Sequence, residues 1–283
     1  MAVSSEIGSI TNLVGEEKAV RLLGEAGFEH WDFSLFAMRG KYDRSQNDVI
    51  FTGHPLEIPG ECLKLARRLK EIGEAYGMTC NQSHAPFPLS CKAILDRMKR
   101  AIECTAEAGG DVCVIHPDND RTREENLEIF QSLLPFAKEH SVRLAAENLY
   151  DHSMKPASCG TPEDFLAYME GINDPSFVAC LDIGHAEMQS LHTSAVAMIH
   201  TLGSHLAAIH LHDNDLVRDS HQIPFTMSID YAPIAKALKE VGYPGVFTLE
   251  ADRFMDGYGS DPAEGVRKLA ESARRFEKMV RDA

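Results

Sequence analysis

Four side chains that favour divalent metals, Glu147, Asp182, His210 and Glu250, each lie near the end of a short apolar run. The runs are VRLAAEN (142–148), FVACLD (177–182), HLAAIHLHD (205–213) and GVFTLEAD (245–252). Side chains on a strand alternate between its two faces. Val142, Leu144 and Ala146 therefore oppose Arg143, Ala145 and Glu147, and Ala179 and Leu181 oppose Val178, Cys180 and Asp182. Ala207, Ile209 and Leu211 oppose Ala208, His210 and His212, while Phe247 and Leu249 oppose Val246, Thr248 and Glu250. Each apolar set suits a covering layer, and each set ending in a polar residue points to a shared interior. The runs MTCNQSH (78–84) and DVCVIH (111–116) repeat the pattern, with Cys113 and Ile115 outward and His84 and His116 inward. Neighbouring strands lie about 4.8 Å apart, so these groups converge. Three carboxylates crowded there repel one another unless a cation or proton sits among them. One divalent metal resolves the conflict, with His210 as its nitrogen ligand. This oxygen-rich set suits Mn²⁺, Mg²⁺ or Co²⁺, and Zn²⁺ is also admissible. A lone acidic residue at a strand end more often caps a helix. Three of them and a histidine, in register on four consecutive strands, are not explained that way.

These runs must be held by eight strand–helix units. Strands are expected near 3–10, 28–36, 78–84, 111–116, 142–148, 177–182, 205–213 and 245–252. Helices are expected over 16–26, 60–76, 91–108, 123–140, 161–169, 187–201, 231–241 and 261–280. Thr161 before Pro162, and Asp261 before Pro262, read as helix starts. Strand and helix in strict alternation argue for parallel pairing through crossover helices. The expected fold class is α/β, a (β/α)8 TIM barrel forming one domain over residues 1–283. A doubly wound open sheet would alternate too, but no Gly-rich phosphate loop follows the first strand.

The chain has 283 residues, ordinary globular composition and a formal net charge of −15. A protein that grips duplex phosphates usually presents a basic footprint, so nucleic acid is disfavoured as a partner. The N-terminus lacks the basic and long apolar regions of a secretion signal, and no apolar stretch suits a membrane span. Seven cysteines are scattered and never in CxxC pairs. They read as reduced, buried thiols of a cytoplasmic protein.

The strand ends and the segments after them resemble the xylose-isomerase-like barrels, which include sugar and sugar phosphate isomerases, ketose 3-epimerases, inosose-processing enzymes and apurinic endonucleases of the endonuclease IV type. The matching pieces are SHAPFP (83–88), VIHPDND (114–120), AENLYD (146–151), LDIGHAEM (181–188), IHLHDND (209–215), RDSHQIP (218–224) and TLEAD (248–252), in family order over most of the chain. The resemblance implies metal ligands at Glu147, Asp182, His210 and Glu250, with Glu147 and Glu250 also acting as an acid/base pair. It places His185 near the substrate or as an additional ligand, makes His84 and His116 pocket histidines, and implies a homodimer or homotetramer. The chain departs from the family after His221. A Pro-Gly-x-Gly loop is common there, whereas this sequence reads Pro224-Phe225-Thr226-Met227.

The expected chemistry is proton transfer beside a carbonyl of a small carbohydrate, giving isomerisation or epimerisation. Two other readings compete. His84, His116, Glu147, Asp182, His185, His210, Asp219, His221 and Glu250 supply, in order, the residue types of a three-zinc apurinic endonuclease. A non-catalytic carbohydrate-binding barrel is the third. Trp31 and Asp32 are candidates to wall the pocket, and Phe87 to stack on a sugar face. Asp219 and His221 are further substrate-binding candidates. His212 reads as an orienting partner of a ligand, and Asp213 as an orienting partner or a turn-closer. Arg121, Arg123 and Lys155 are candidates to meet a substrate phosphate.

Overall fold

The computed structural model describes residues 1–150 and 157–283; Asp151, His152 and Lys155 lie outside the described residues. Eight parallel strands form one sheet: β1 (Ala2–Ser5), β2 (His30–Ser34), β3 (Thr79–His84), β4 (Val112–Ile115), β5 (Arg143–Glu147), β6 (Phe177–Asp182), β7 (Leu206–Leu211) and β8 (Val246–Leu249). Each of β3 to β7 pairs with both of its sequence neighbours, and β8 pairs in turn with β1. A parallel bridge between Glu6 and Asp32 joins β1 to β2 and closes the ring. This is the expected TIM barrel.

The helices are α1 (Gly8–Val14), α2 (Glu16–Glu25), α3 (Glu61–Ala75), α4 (Lys92–Leu95), α5 (Met98–Ala108), α6 (Arg123–Glu139), α7 (Pro162–Ile172), α8 (Ile183–Ala186), α9 (Ala195–Leu202), α10 (Tyr231–Glu240) and α11 (Pro262–Asp282). Their starts follow local chemistry. Thr161 Oγ1 accepts from the Asp164 amide at 3.2 Å, and Asp261 from the Glu264 amide at 3.1 Å, each just ahead of a proline. Thr122 and Glu125 close a reciprocal capping box on α6.

Strand parity divides the apolar residues into two cores. Val112, Val114, Ala145, Val178, Cys180 and Ala208 fill the barrel interior. The opposite faces, such as Leu144, Leu181, Ile209 and Phe247, join a larger core against the helices. Two strands carry one extra residue, Asn81 in β3 and Ala207 in β7, each marked by a register shift against its neighbour. The bulge lets Asn81 accept from Ser4 Oγ at 2.7 Å and donate to Thr248 Oγ1 at 3.1 Å across the interior.

Three expectations are corrected. The first strand ends at Ser5, not near residue 10, because the Glu6 carboxylate takes the Gly8 and Ser9 amides and starts α1. The helix expected over 187–201 is split. His192 adopts a left-handed conformation, and Ser194 caps a separate α9. An antiparallel hairpin, Lys41–Asp43 with Asp48–Ile50, stands beyond β2 where no element was expected. No helix among the described residues is long and apolar enough to cross a membrane. All seven cysteines are free and buried.

Candidate metal centre

The four strand-end groups meet at the C-terminal mouth of the barrel. One ligand atom from each of Glu147, Asp182, His210 and Glu250 lies within 4.8 Å of the other three. Glu147, Asp182 and His210 are fully buried, and Glu250 is 6% exposed. The His210 ring aims Nδ1 between the glutamates, 3.3 Å from Glu147 Oε2 and 3.1 Å from Glu250 Oε2. Both Glu147 oxygens, Asp182 Oδ2 and His210 Nδ1 are buried with no hydrogen-bond partner among the described residues. Leaving such atoms unpaired is costly, and a divalent cation is the group that would use all of them together. The donor set fits one.

Two further clusters flank this centre. His84 Nε2 is 3.1 Å and His116 Nε2 3.3 Å from Glu147 Oε2, so these three form a second set with its ligand atoms within 4.8 Å. A third set joins His185, His212, Asp219 and His221. There the Asp219 carboxylate lies 3.4 Å from His185 Nε2 and 3.0 Å from His221 Nε2. Ring orientation has a common cause. The Nδ1–H groups of His84, His185 and His221 face the backbone carbonyls of Ala85, Asn148 and Glu250 at 3.1, 3.0 and 2.8 Å. Donation there leaves each Nε2 as the free nitrogen, aimed at carboxylates, the arrangement common to metal-binding histidines.

Without a cation, protons balance the charge. Burial works to raise the Glu147 pKa, but His210 and His116 beside it hold it well below the usual carboxylate range. Glu250 is likewise lowered, with His210 overcoming burial. Burial works to lower His210, yet Cys180, Glu250 and Glu147 push it well above an ordinary imidazole. His185 is pushed up to about 10, Asp182 and Asp219 overcoming burial. His116 is lowered, because burial dominates over Glu147 there. The mouth therefore holds ionised glutamates beside histidines that retain protons, a charge pattern that a cation would replace.

Placement of the other candidates is uneven. Phe87 reaches the mouth, its ring stacked on His116 at 4.6 Å and 5.3 Å from Phe36. With Phe36, His116, Glu147, His185 and Glu250 it lines a cavity of about 440 Å³ over the centre. Trp31 does not reach it, which corrects that expectation. Parity sends its ring outward into the helix-side core, against Phe33 and Gly73 of α3. Asp32, its neighbour on the inner face, is the residue that approaches the centre, 3.7 Å from His210 Nε2. His212 bonds Asp182 Oδ1 at 3.0 Å. Asp213 fastens the loop after β7 by accepting the amides of Thr226, Met227 and Ile229. Arg121 and Arg123 line a separate cavity of about 490 Å³, and Arg123 is paired with Asp164. Sequence reasoning missed Gln82, whose amide nitrogen lies 2.7 Å from His210 Nε2. Simple alternation from His84 signals its inward position. It also missed Glu6 and Asp252, which sit one residue or more past their strands, where alternation no longer applies.

Residues 17–277 match the family described as xylose isomerase-like TIM barrel. Among curated proteins, one of Methanocaldococcus jannaschii, itself uncharacterized, is 25% identical over 195 residues, which span 62% of this chain and 66% of that protein. The chain thus matches about two thirds of that relative's length. A D-tagatose 3-epimerase-like protein superposes with a TM-score of 0.74 at 19% identity, covering 100% of this chain and 99% of the other. A 3-keto-D-glucoside 4-epimerase from E. coli gives 0.70 at 14% identity, covering 98% and 99%.

Proposed function

The chain belongs to the xylose isomerase-like TIM-barrel family, and on that premise we propose that it is a divalent-metal-dependent isomerase or epimerase of small carbohydrates. The observation that carries the reading is the pair of buried, ionised glutamates, Glu147 and Glu250, facing one cavity beside Asp182 and His210. Glu147, Asp182, His210 and Glu250 would hold the cation, with Mn²⁺, Mg²⁺ or Co²⁺ suited to the set and Zn²⁺ admissible. When bound, it would polarise the substrate carbonyl and lower the cost of negative charge on oxygen. One glutamate removes the proton from the carbon beside that carbonyl, and the other returns a proton. Return to the opposite face of the same carbon is epimerisation, and return to the next carbon is isomerisation. The lowered pKa values keep the abstracting glutamate in the basic form that the first step needs; its partner, also ionised at rest, takes from solvent the proton it returns, and the abstracted proton leaves to solvent. Phe87 and Phe36 supply apolar faces for the sugar ring. The names of the structural neighbours, epimerases of sugars, support the reading.

The test is a metal-supplemented screen of free and phosphorylated ketoses and inososes, read by NMR for deuterium uptake from D₂O. Uptake is expected at a carbon beside the carbonyl, and Glu147→Gln or Glu250→Gln is expected to slow it by roughly 10²–10⁴-fold. Full turnover in either variant would sink the mechanism.

A second reading is favoured by one specific observation: the three ligand clusters, two of them sharing Glu147, can be read as a three-metal hydrolytic centre for phosphodiesters. That describes a zinc-dependent apurinic endonuclease. The net charge of −15 weighs against a duplex partner. About three zinc ions per chain together with cleavage of abasic DNA would reverse the ranking.

A further inference from the structure

Next to the cavity over the candidate centre lies another of about 410 Å³, between the ends of β1, β2 and β8. The two share Phe36, Asp219, His221 and Asp252 in their walls, so they adjoin one another. Either cavity alone falls within the roughly 300–1,000 Å³ of a small-molecule pocket. A single sugar ring over Glu147 and Glu250 would leave the annex to something else.

Its lining is specific. Ser9, Thr11, Asn12 and Ser34 bring hydroxyl and amide groups, and Leu56 and Ala37 bring apolar surface. Thr11 Oγ1 and Asp252 Oδ1 are buried with no hydrogen-bond partner among the described residues. The room depends on Gly8, where a Cβ would stand 2.6 Å from Ser34 Oγ and 2.9 Å from Glu6 Oε2. Carboxylates outnumber cations: Glu6, Glu16, Asp219, Asp252 and Asp256 line the annex, against Arg253 and His221, with Glu16 paired to His54 at 2.7 Å. Such walls accept hydrogen bonds from hydroxyl groups and repel a phosphate. Phe36 stands at the junction, its ring edge-on to His84 at 4.6 Å and to Phe87 at 5.3 Å.

We infer that the annex binds a second sugar unit, so that the substrate is an unphosphorylated disaccharide or glycoside whose reacting ring lies over the candidate metal centre and whose linkage passes Phe36. This rests on the proposed function and narrows its substrate class.

Calorimetric titration of the Mn²⁺-supplemented protein tests it, with D-fructose, D-fructose 6-phosphate, and glucosyl- and galactosyl-fructoses linked through carbon 4 or carbon 6 as probes. At least one disaccharide is expected to bind tenfold or more tighter than fructose, and the phosphate tenfold or more weaker. Asn12 is exposed on α1, and Asn12→Trp, which fills the annex, is expected to erase the disaccharide's advantage. The comparison on the unaltered protein stands even if that variant misfolds. Fructose matching every disaccharide, or the phosphate outbinding fructose, overturns the annex while leaving the proposed function standing. Failure of every sugar to bind overturns both.

Discussion

His210 is held at both nitrogens. Nδ1 faces the two glutamates, and Nε2 faces Gln82 at 2.7 Å and Asp32 at 3.7 Å. For Nδ1 to offer a lone pair to a cation, Nε2 must carry the hydrogen and donate it. Gln82 accepts it once its amide turns oxygen-first, which gives up the 2.9 Å bond from its nitrogen to Asp32 Oδ2. Gln82→Leu keeps much of the volume and removes the acceptor, so Mn²⁺ affinity measured by calorimetry is expected to fall about 10–100-fold. Gln82→Glu, which still accepts, should recover much of it. Unchanged affinity in the leucine variant would remove Gln82 from this role. The direct ligands were legible because alternation along a strand is a rule of one residue's geometry. The inner faces of Gln82 and Asp32 follow from the same rule, but their contact with each other depends on the bulge at Asn81, which shifts the register between β2 and β3 and leaves no mark in the residue types. Trp31 shows the opposite error. A large aromatic near a strand end invites a pocket role, yet its parity puts it against Gly73, where a Cβ would meet its ring nitrogen at 2.8 Å.

The strands and most helices follow from apolar period and caps, whereas the connections carry the local strain. In the loop after β7, Leu216, His221 and Phe225 adopt positive φ, with Phe225 at 73°. Phe225 stands where related barrels often have the first glycine of Pro-Gly-x-Gly. A phenylalanine there pays a left-handed backbone cost and offsets it with its ring, which packs 4.8 Å from Tyr231 and under Arg275 at 3.8 Å. Both Phe225→Ala and Phe225→Gly lose those contacts, but only glycine relieves the backbone. The alanine variant is expected to be less stable than the glycine variant by about 1 kcal/mol in urea unfolding; the reverse order would refute strain at this residue. The hairpin over 41–50 was invisible in sequence because its strands are three residues each. The loop that follows it is fastened at Glu57, which accepts the Thr52 and His54 amides at 3.0 and 3.1 Å and the Thr52 hydroxyl. Burial works to raise the Glu57 pKa, and these donors lower it overall. A carboxylate depressed in the folded state stabilises above its unfolded pKa, and the gain is lost as pH falls through the folded value. Glu57→Gln should therefore cost about 1–2 kcal/mol at pH 7, and the cost should shrink below about pH 4.5. A penalty independent of pH would mean that packing, not charge, holds this loop.

At the scale of the whole barrel, the ring closes around Glu147, Asp182 and Glu250, three acidic side chains at most 6% exposed, within a chain already carrying −15. Parallel strands bring them together, and nothing in the described interior neutralises them except imidazoles that must keep their protons. Protonated imidazoles thus hold the acidic centre in the metal-free fold, and a bound cation should stabilise the fold further. At a free Mn²⁺ concentration one hundred times its Kd, linkage contributes about 2.7 kcal/mol. For a chain of this size that is a rise in Tm of roughly 4–5 °C over the chelator-treated protein. His210 and His84 hold protons more tightly than free imidazole, so the ion must displace them, and the rise should diminish as pH falls. Glu147→Gln separates this account from a general salt effect. Removing a carboxylate held ionised by His210 and His116 should lower the Tm of the chelator-treated protein, because those imidazoles lose their buried partner, and most of the Mn²⁺-induced rise should disappear. A variant that melts with the unaltered protein without metal, and gains as much from Mn²⁺, would show that Glu147 neither pairs with those imidazoles nor binds the ion.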